Sequence, residues 1–159
     1  MIDIFTVGGT IDKVYFDALS EYQIGPTPLP NMLAENNVYI PHRVTQVMRK
    51  DSLELTDEDR IAIRDAVAAS DAEKILVTHG TDTMVQTGCV LAEIPGKTIV
   101  ITGAMQPATL RNSDAEFNVG FALAAVQTLP HGSYIAMNGE IFDPATTRKD
   151  RAAHRFIRQ

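Results

Sequence analysis

IDIFTVGGT, residues 2–10, sets the pattern from which the fold is read. Ile2 to Val7 is a run of β-prone apolar residues that stops abruptly at Gly8 and Gly9, as a buried strand does where it enters a tight turn. The pattern recurs downstream. KILVT, residues 74–78, stops at His79-Gly80; TIVIT, residues 98–102, stops at Gly103; SYIAMN, residues 133–138, stops at Gly139. RVTQVM, residues 43–48, is a weaker, more polar strand that ends before Asp51-Ser52. Between these runs lie helical stretches. Thr56 followed by Asp59 forms a capping-box-like start for a helix over 57–69, with acids in the first turn where the helix dipole favours them. Residues 82–92 and 114–129 supply two more helices, and residues 28–35 a short one with Thr27 as N-cap and proline at its first position. Strands alternating with helices predict parallel βαβ units: an α/β fold with a parallel sheet of about five strands and helices on both faces.

Two segments break the alternation. Asp12 to Pro30 carries Tyr15, Phe16, Tyr22, Gly25, Pro26, Pro28 and Pro30 without sustained periodicity, and reads as a hairpin or mobile loop that could serve as a lid. Asp143 to Gln159 carries Arg148, Lys149, Arg151, Arg155 and Arg158 and follows the last expected strand; it reads as a solvated basic face with no further strand to cover.

The chain has 159 residues, 45% of them hydrophobic and 21% charged, the composition of an ordinary soluble domain. That length predicts one domain. The formal charge of −6 gives no positive field for nucleic acid or anionic membrane, and neither is expected as a partner. Cys89 is the single cysteine, which excludes an internal disulfide; inside its helical stretch it reads as a small buried hydrophobe. His42, His79, His131 and His154 have no metal-ligand spacing, so no metal is expected, and His79 reads as structural. MIDIFTVGG runs directly into a strand without the features of a signal peptide, which predicts a cytoplasmic location.

In parallel α/β sheets ligands sit outside the carboxyl ends of the strands. Gly8-Gly9-Thr10, Asp51-Ser52, His79-Gly80-Thr81-Asp82 and Gly103-Ala104 all fall on that rim. Any one junction is also what a strand-to-helix turn needs for its own sake. Repetition at successive junctions argues for more. A threonine hydroxyl attacks only when a neighbouring base takes its proton, and Asp82, Lys149 and Tyr22 are the candidate helpers. The glycines admit a ligand close to backbone N–H groups that could hold an oxyanion. The set suits acyl transfer or amide hydrolysis. A phosphate site is the weaker reading, since neither GxGxxG nor GxxxxGK[ST] occurs.

TVGGTI (residues 6–11), VTHGTDTM (77–84) and ITGAMQP (101–107), with a DS pair between the first two and a lysine after the last strand, resemble the signature regions of bacterial L-asparaginases. The resemblance spans nearly the whole chain but only the N-terminal domain of that family's usual two, a Rossmann-like or flavodoxin-like lobe. It implies a single catalytic domain over residues 1–159, with a lid over about residues 11–27 and the usual C-terminal domain absent. It implies Thr10 as primary nucleophile, Tyr22 as the lid tyrosine that activates it, and Thr81, Asp82 and Lys149 as a second catalytic cluster. Ser52 would hold the α-carboxylate, Asp82 the α-amino group, and Ala104 the scissile amide through its main chain, with Gly9 and Gly80 lining the substrate. Leu53 stands where many members carry a polar ligand contact. No cofactor is implied.

The resemblance further implies hydrolysis of L-asparagine to L-aspartate and ammonia through an acyl-enzyme. With the second domain absent, ammonium recognition is expected to be thinner, glutamine disfavoured, and the uncovered surface hidden in a homo-oligomer, dimer or tetramer. A broader amidase or glutaminase, an ammonia-donating amidotransferase-like subunit, an idle amino-acid sensor, and a fragment of a longer enzyme stay open as alternatives.

Overall fold

β1 (Ile2–Gly8) is buried at every position and pairs in parallel on both sides, with Ile4 opposite Val44 of β4 (His42–Lys50) and Leu76 of β5 (Lys74–Thr78). The structure is a computed structural model that describes residues 1–159. β6 (Thr98–Thr102) and β7 (Gly132–Met137) continue the parallel sheet. β8 (Glu140–Phe142) turns back antiparallel against β7, giving the order β4-β1-β5-β6-β7-β8. The five parallel strands are the expected five; β8 is additional.

Strict alternation along the strands divides the core in two. Ile2, Ile4, Leu76, Val100 and Ala136 face one way and pack on α1 (Leu29–Glu35) and α4 (Ala115–Thr128). Phe5, Val7, Ile75, Val77, Ile99, Ile101, Ile135 and Met137 face the other way, on α2 (Asp57–Ala69) and α3 (Met84–Leu91). Both faces of the sheet are therefore covered, as its apolar strands require. Each fully buried Ile or Leu stabilises the fold by about 1.5–3 kcal/mol relative to an exposed one.

The capping box at Thr56 forms in both directions: Thr56 Oγ1 accepts from the Asp59 N–H at 3.2 Å and Asp59 Oδ2 from the Thr56 N–H at 2.9 Å. Two helix starts differ from the expected ones. α1 begins at Leu29, with Pro28 in the cap position; Thr27 Oγ1 accepts only a long, 3.4 Å bond from the Leu29 N–H. α3 begins at Met84 rather than Asp82, leaving Thr81 and Asp82 in the turn.

The segment after β1 is a hairpin, β2 (Lys13–Phe16) with β3 (Glu21–Ile24), tied at its base by the Gly25 N–H to Asp12 O and by Arg49 to Ile24 O. The basic tail carries strands after all. β9 (Thr147–Asp150) and β10 (Arg155–Arg158) form an antiparallel hairpin whose buried Phe156 packs on Phe142. Cys89 is exposed, not buried: Met84, Thr87, Gly88 and Leu91 form the inward face of α3 and turn it outward.

Candidate active site at the carboxyl ends of β1 and β5

The strand order reverses direction between β1 and β5, because the chain leaves β1 toward β4 on one side and later builds β5 to β7 on the other. Crevices at such a point are where open α/β sheets bind ligands. Here the crevice is closed at its base by glycine. A Cβ on Gly9, whose φ is +86°, would lie 2.3 Å from Gly80 Cα, and a Cβ on Gly80 would lie 2.6 Å from Ser52 Cβ and Oγ. The turns after β1, β4 and β5 are thus in direct backbone contact. Thr10 and Thr81, each the next residue after one of these glycines, start from adjacent points on one rim.

Thr81 and Asp82 are joined to the far end of the chain. Lys149 on β9 donates to Thr81 Oγ1 at 2.6 Å and to Asp82 Oδ1 at 2.9 Å, while Arg151 Nε lies 3.4 Å from the same Asp82 oxygen. Lys149 and Thr81 are largely buried and Asp82 is about a third exposed, so a shielded ammonium bridges the threonine hydroxyl and the carboxylate. Ser52 is buried against Gly80, and its carbonyl accepts from Thr83 Oγ1 at 2.7 Å. Beside it, Asp51 accepts from the Leu53 N–H and from Lys13 at 3.0 Å. Burial raises the Asp51 pKa, but the Leu53 N–H and the Lys13 ammonium outweigh it and hold the carboxyl below its usual value.

The remaining expected residues fall in different places. Ala104 is buried in the core after β6. Leu53 is 63% exposed and offers no polar contact. Tyr22 stands apart from the cluster on the outer hairpin, 47% exposed, its ring edge-on to Tyr15 with centroids 5.5 Å apart. Gly9 contributes shape rather than a free donor, because its N–H is already given to Lys50 O at 3.0 Å. The N–H groups of Gly80, Thr81 and Ala104 donate to nothing within the chain.

His79 is wholly buried. Its Nδ1 lies 2.7 Å from Gly80 O and its Nε2 2.8 Å from Thr87 Oγ1. A carbonyl only accepts, so Nδ1 carries the proton and Nε2 accepts from Thr87. Burial, with Arg60 nearby, lowers the His79 pKa to about 4 against the Gly80 bond, and the ring is a neutral strut beneath the Gly80 turn.

Three residues at the site were not singled out in the sequence. Asp114 receives the N–H groups of Met105 and Gln106 and the side-chain amides of Asn118 and Asn138, and so fixes the turn after β6. Arg151 reads as surface charge until β9 is seen to place it beside Asp82. Asp12, within two residues of Thr10, is 2% exposed with Oδ1 unpartnered. Burial raises its pKa to about 6, against a bond from Thr27 and the charge of Arg49.

Comparison with known proteins places this chain in a family. The chain is 32% identical over 148 residues to the L-asparaginase of Thermococcus kodakarensis, with 87% of this chain and 44% of that protein covered. It is 30% identical over 156 residues to the glutaminase-asparaginase of Pseudomonas aeruginosa, covering 87% and 42%. The solved structure of the thermostable L-asparaginase from Thermococcus kodakarensis superposes with a TM-score of 0.85 at 25% identity, covering 99% of this chain and 50% of that one. The chain spans about half the length of these relatives. Residues 1–156 match the family model described as asparaginase, N-terminal, and the chain belongs to the asparaginase family.

Proposed function

We propose that this domain catalyses hydrolysis of the side-chain amide of L-asparagine, giving L-aspartate and ammonia through a threonine nucleophile and an acyl-enzyme. The observation that carries the reading is the Thr81–Lys149–Asp82 cluster, set on the same rim as Thr10 by the Gly9–Gly80 contact. Thr10 attacks the amide carbon, and the released nitrogen leaves as ammonia after taking a proton. Water then attacks the resulting ester. The N–H groups of Gly80, Thr81 and Ala104 make no hydrogen bond within the chain and in this reading receive the oxyanion, each such donor contributing about 10²–10³ in rate. Lys149 moves the proton at Thr81. Ser52 takes the α-carboxylate and Asp82 the α-nitrogen.

In this reading residues 1–159 act as one catalytic domain and the β2–β3 hairpin is the lid. Its base is fixed at Asp12, Gly25 and Arg49 while Tyr22 lies on the free outer part, so closure carries Tyr22 toward Thr10. The reading also includes a cytoplasmic homo-oligomer acting on a small molecule; light scattering that gives 17.4 kDa at micromolar concentration refutes the oligomer.

The decisive experiment is ammonia release from L-asparagine and L-glutamine by wild type, Thr10→Ala and Thr81→Ala. Asparagine turnover that is lost in both variants is expected. Retained activity in Thr10→Ala overturns the nucleophile.

A further inference from the structure

We propose that Asp114 and Asn118 are positioning residues of the reaction: they fix the peptides on either side of Ala104, so that the Ala104 main chain can read the N–H of the scissile amide. The inference rests on the amidohydrolase reading above and deepens it, assigning the amide selectivity of that same site to two side chains that act only through the backbone.

In a trans peptide the C=O and the N–H point in opposite directions, so a bond to one edge fixes where the other edge faces. The chain has no cis peptide bond. On one side of Ala104, the Gly103 carbonyl accepts from Asn118 Nδ2 at 2.9 Å. On the other, the Met105 N–H donates to the two Asp114 oxygens, at 3.0 and 3.1 Å. Asn118 Nδ2 also donates to Asp114 Oδ2 at 2.9 Å, so the two side chains work as one unit at the start of α4. The edges left over are the Ala104 N–H and the Ala104 C=O. Both turn away from Asp114 and Asn118, and neither has a partner within the chain although Ala104 is buried. Buried backbone groups are nearly always paired, so a donor and an acceptor left side by side call for a group that carries the reverse pair.

The surrounding bonds keep these peptides from rotating. Asp114 Oδ1 also takes the Gln106 N–H at 3.1 Å, and Ser113 Oγ donates to Gln106 O at 2.9 Å. Asn118 is wholly buried, and its Oδ1 accepts from the Asn138 N–H at 2.9 Å. A Cβ on Gly103 would lie 2.3 Å from His79 O, so the turn after β6 rests on the turn after β5. The Ala108 N–H reaches Ile11 O at 3.2 Å and ties the same loop to the segment that carries Thr10.

A primary amide supplies the reverse pair: its N–H donates to the Ala104 carbonyl and its oxygen accepts from the Ala104 N–H. An ester of the same acid keeps the carbonyl oxygen but sets an alkoxy oxygen, which only accepts, against the Ala104 carbonyl. A site built to bond an N–H disfavours the analogue that lacks it, because the buried carbonyl then stays unpaired. Asp114 governs that carbonyl, since it holds the opposite edge of the same peptide.

The test is kcat/KM for L-aspartate formation from L-asparagine, which releases ammonia, and from L-aspartic acid 4-methyl ester, which releases methanol. Asp114→Ala and Asp114→Ser both free the Met105 N–H; the serine is the milder change, because its hydroxyl suits a helix cap but is one atom shorter than the carboxylate. The amide-to-ester ratio is expected to fall about tenfold in each, the effect of one lost hydrogen bond and one relieved clash of acceptors. Asn138→Gly is the control. It removes another amide from Asp114 Oδ2 at a residue whose φ of +50° or so glycine accepts, and leaves Met105 bound, so the ratio is expected to hold. A merely structural role for Asp114 would slow both substrates alike. A ratio unmoved in whichever Asp114 variant keeps wild-type circular dichroism, or one that falls as far in Asn138→Gly, overturns the inference and leaves the amidohydrolase reading standing. No aspartate from L-asparagine with wild type overturns both.

Discussion

Thr81 Oγ1 and Lys149 Nζ lie 2.6 Å apart across 68 residues of sequence. An ammonium has only donors, so Lys149 donates to the threonine oxygen and leaves the hydroxyl hydrogen free to turn toward another acceptor. Lys149→Met keeps the length of the stem and removes the charge. We expect kcat for asparagine hydrolysis to fall about 10²- to 10⁴-fold with KM much less affected. Unchanged circular dichroism would show that the fold survives. A variant within threefold or so of wild-type kcat would remove Lys149 from the proton path.

The glycine contact at the base of the crevice makes a second prediction. At Gly80 an added methyl meets Ser52 Cβ and Oγ at 2.6 Å, so the Ser52 turn must shift, but the Gly80 backbone has no positive φ to strain, and overpacking of this kind costs about 1–3 kcal/mol. At Gly9 the methyl meets the Gly80 backbone at 2.3 Å, on a residue with φ +86° that other residues adopt only under strain. Gly9→Ala is therefore expected to lose more stability than Gly80→Ala in urea unfolding. The opposite order would mean that the two turns separate easily and do not define the site.

His79 makes the fold sensitive to acid. Its folded pKa of about 4 lies below the unfolded value of 6.5, so between those values the unfolded chain binds more protons. Its contribution is fully present above pH 6.5 and is lost as pH falls toward 4, by about 3 kcal/mol in total. Replacement by Gln, which also accepts and donates, should flatten that slope. Urea midpoints measured from pH 4 to 8 decide it: parallel curves for wild type and His79→Gln would contradict the neutral-strut assignment.

Asp12 works in the opposite direction. Burial lifts its pKa from 3.8 to about 6, so the native state holds a proton that the unfolded state has lost. Its stabilising contribution is present below pH 3.8 and disappears as pH rises through 6. Asp12→Asn should raise stability by about 1–3 kcal/mol at pH 7 and by almost nothing at pH 4. A variant that destabilises at pH 7 would show that the ionised carboxylate is wanted there.

The five parallel strands were legible because each is an apolar run cut off by glycine or a polar pair, and the core alternation of Ile75, Leu76 and Val77 confirms which face each side chain takes. β8, β9 and β10 were not. EIF, TRKD and RFIR are three or four residues long, too short for a period to show. The exposure of Cys89 was recoverable, since Met84, Thr87, Gly88 and Leu91 mark the inner face of α3 at helical spacing. The partners of Asp114 and Arg151 were not, because only the closed fold brings Met105, Asn138 and Asp82 to them. Of the rim, the motifs carried the glycines, Ser52 and Thr81; the charge balance around Asp82 came from the tail.

The β9–β10 hairpin stands outside the six-stranded sheet, held by the buried Phe156 ring and by side-chain bonds from Thr147, Lys149 and Arg158, whereas Gly9 and Thr10 extend a strand buried at every position. The two halves of the site therefore belong to regions of unequal local stability. Opening of the tail alone withdraws Lys149 and Arg151 from Asp82 while the sheet, Thr10 and Thr81 stay in place. Mild denaturant should then silence the chemistry before the fold melts, and amide exchange in residues 147–158 should run ahead of exchange in residues 2–8.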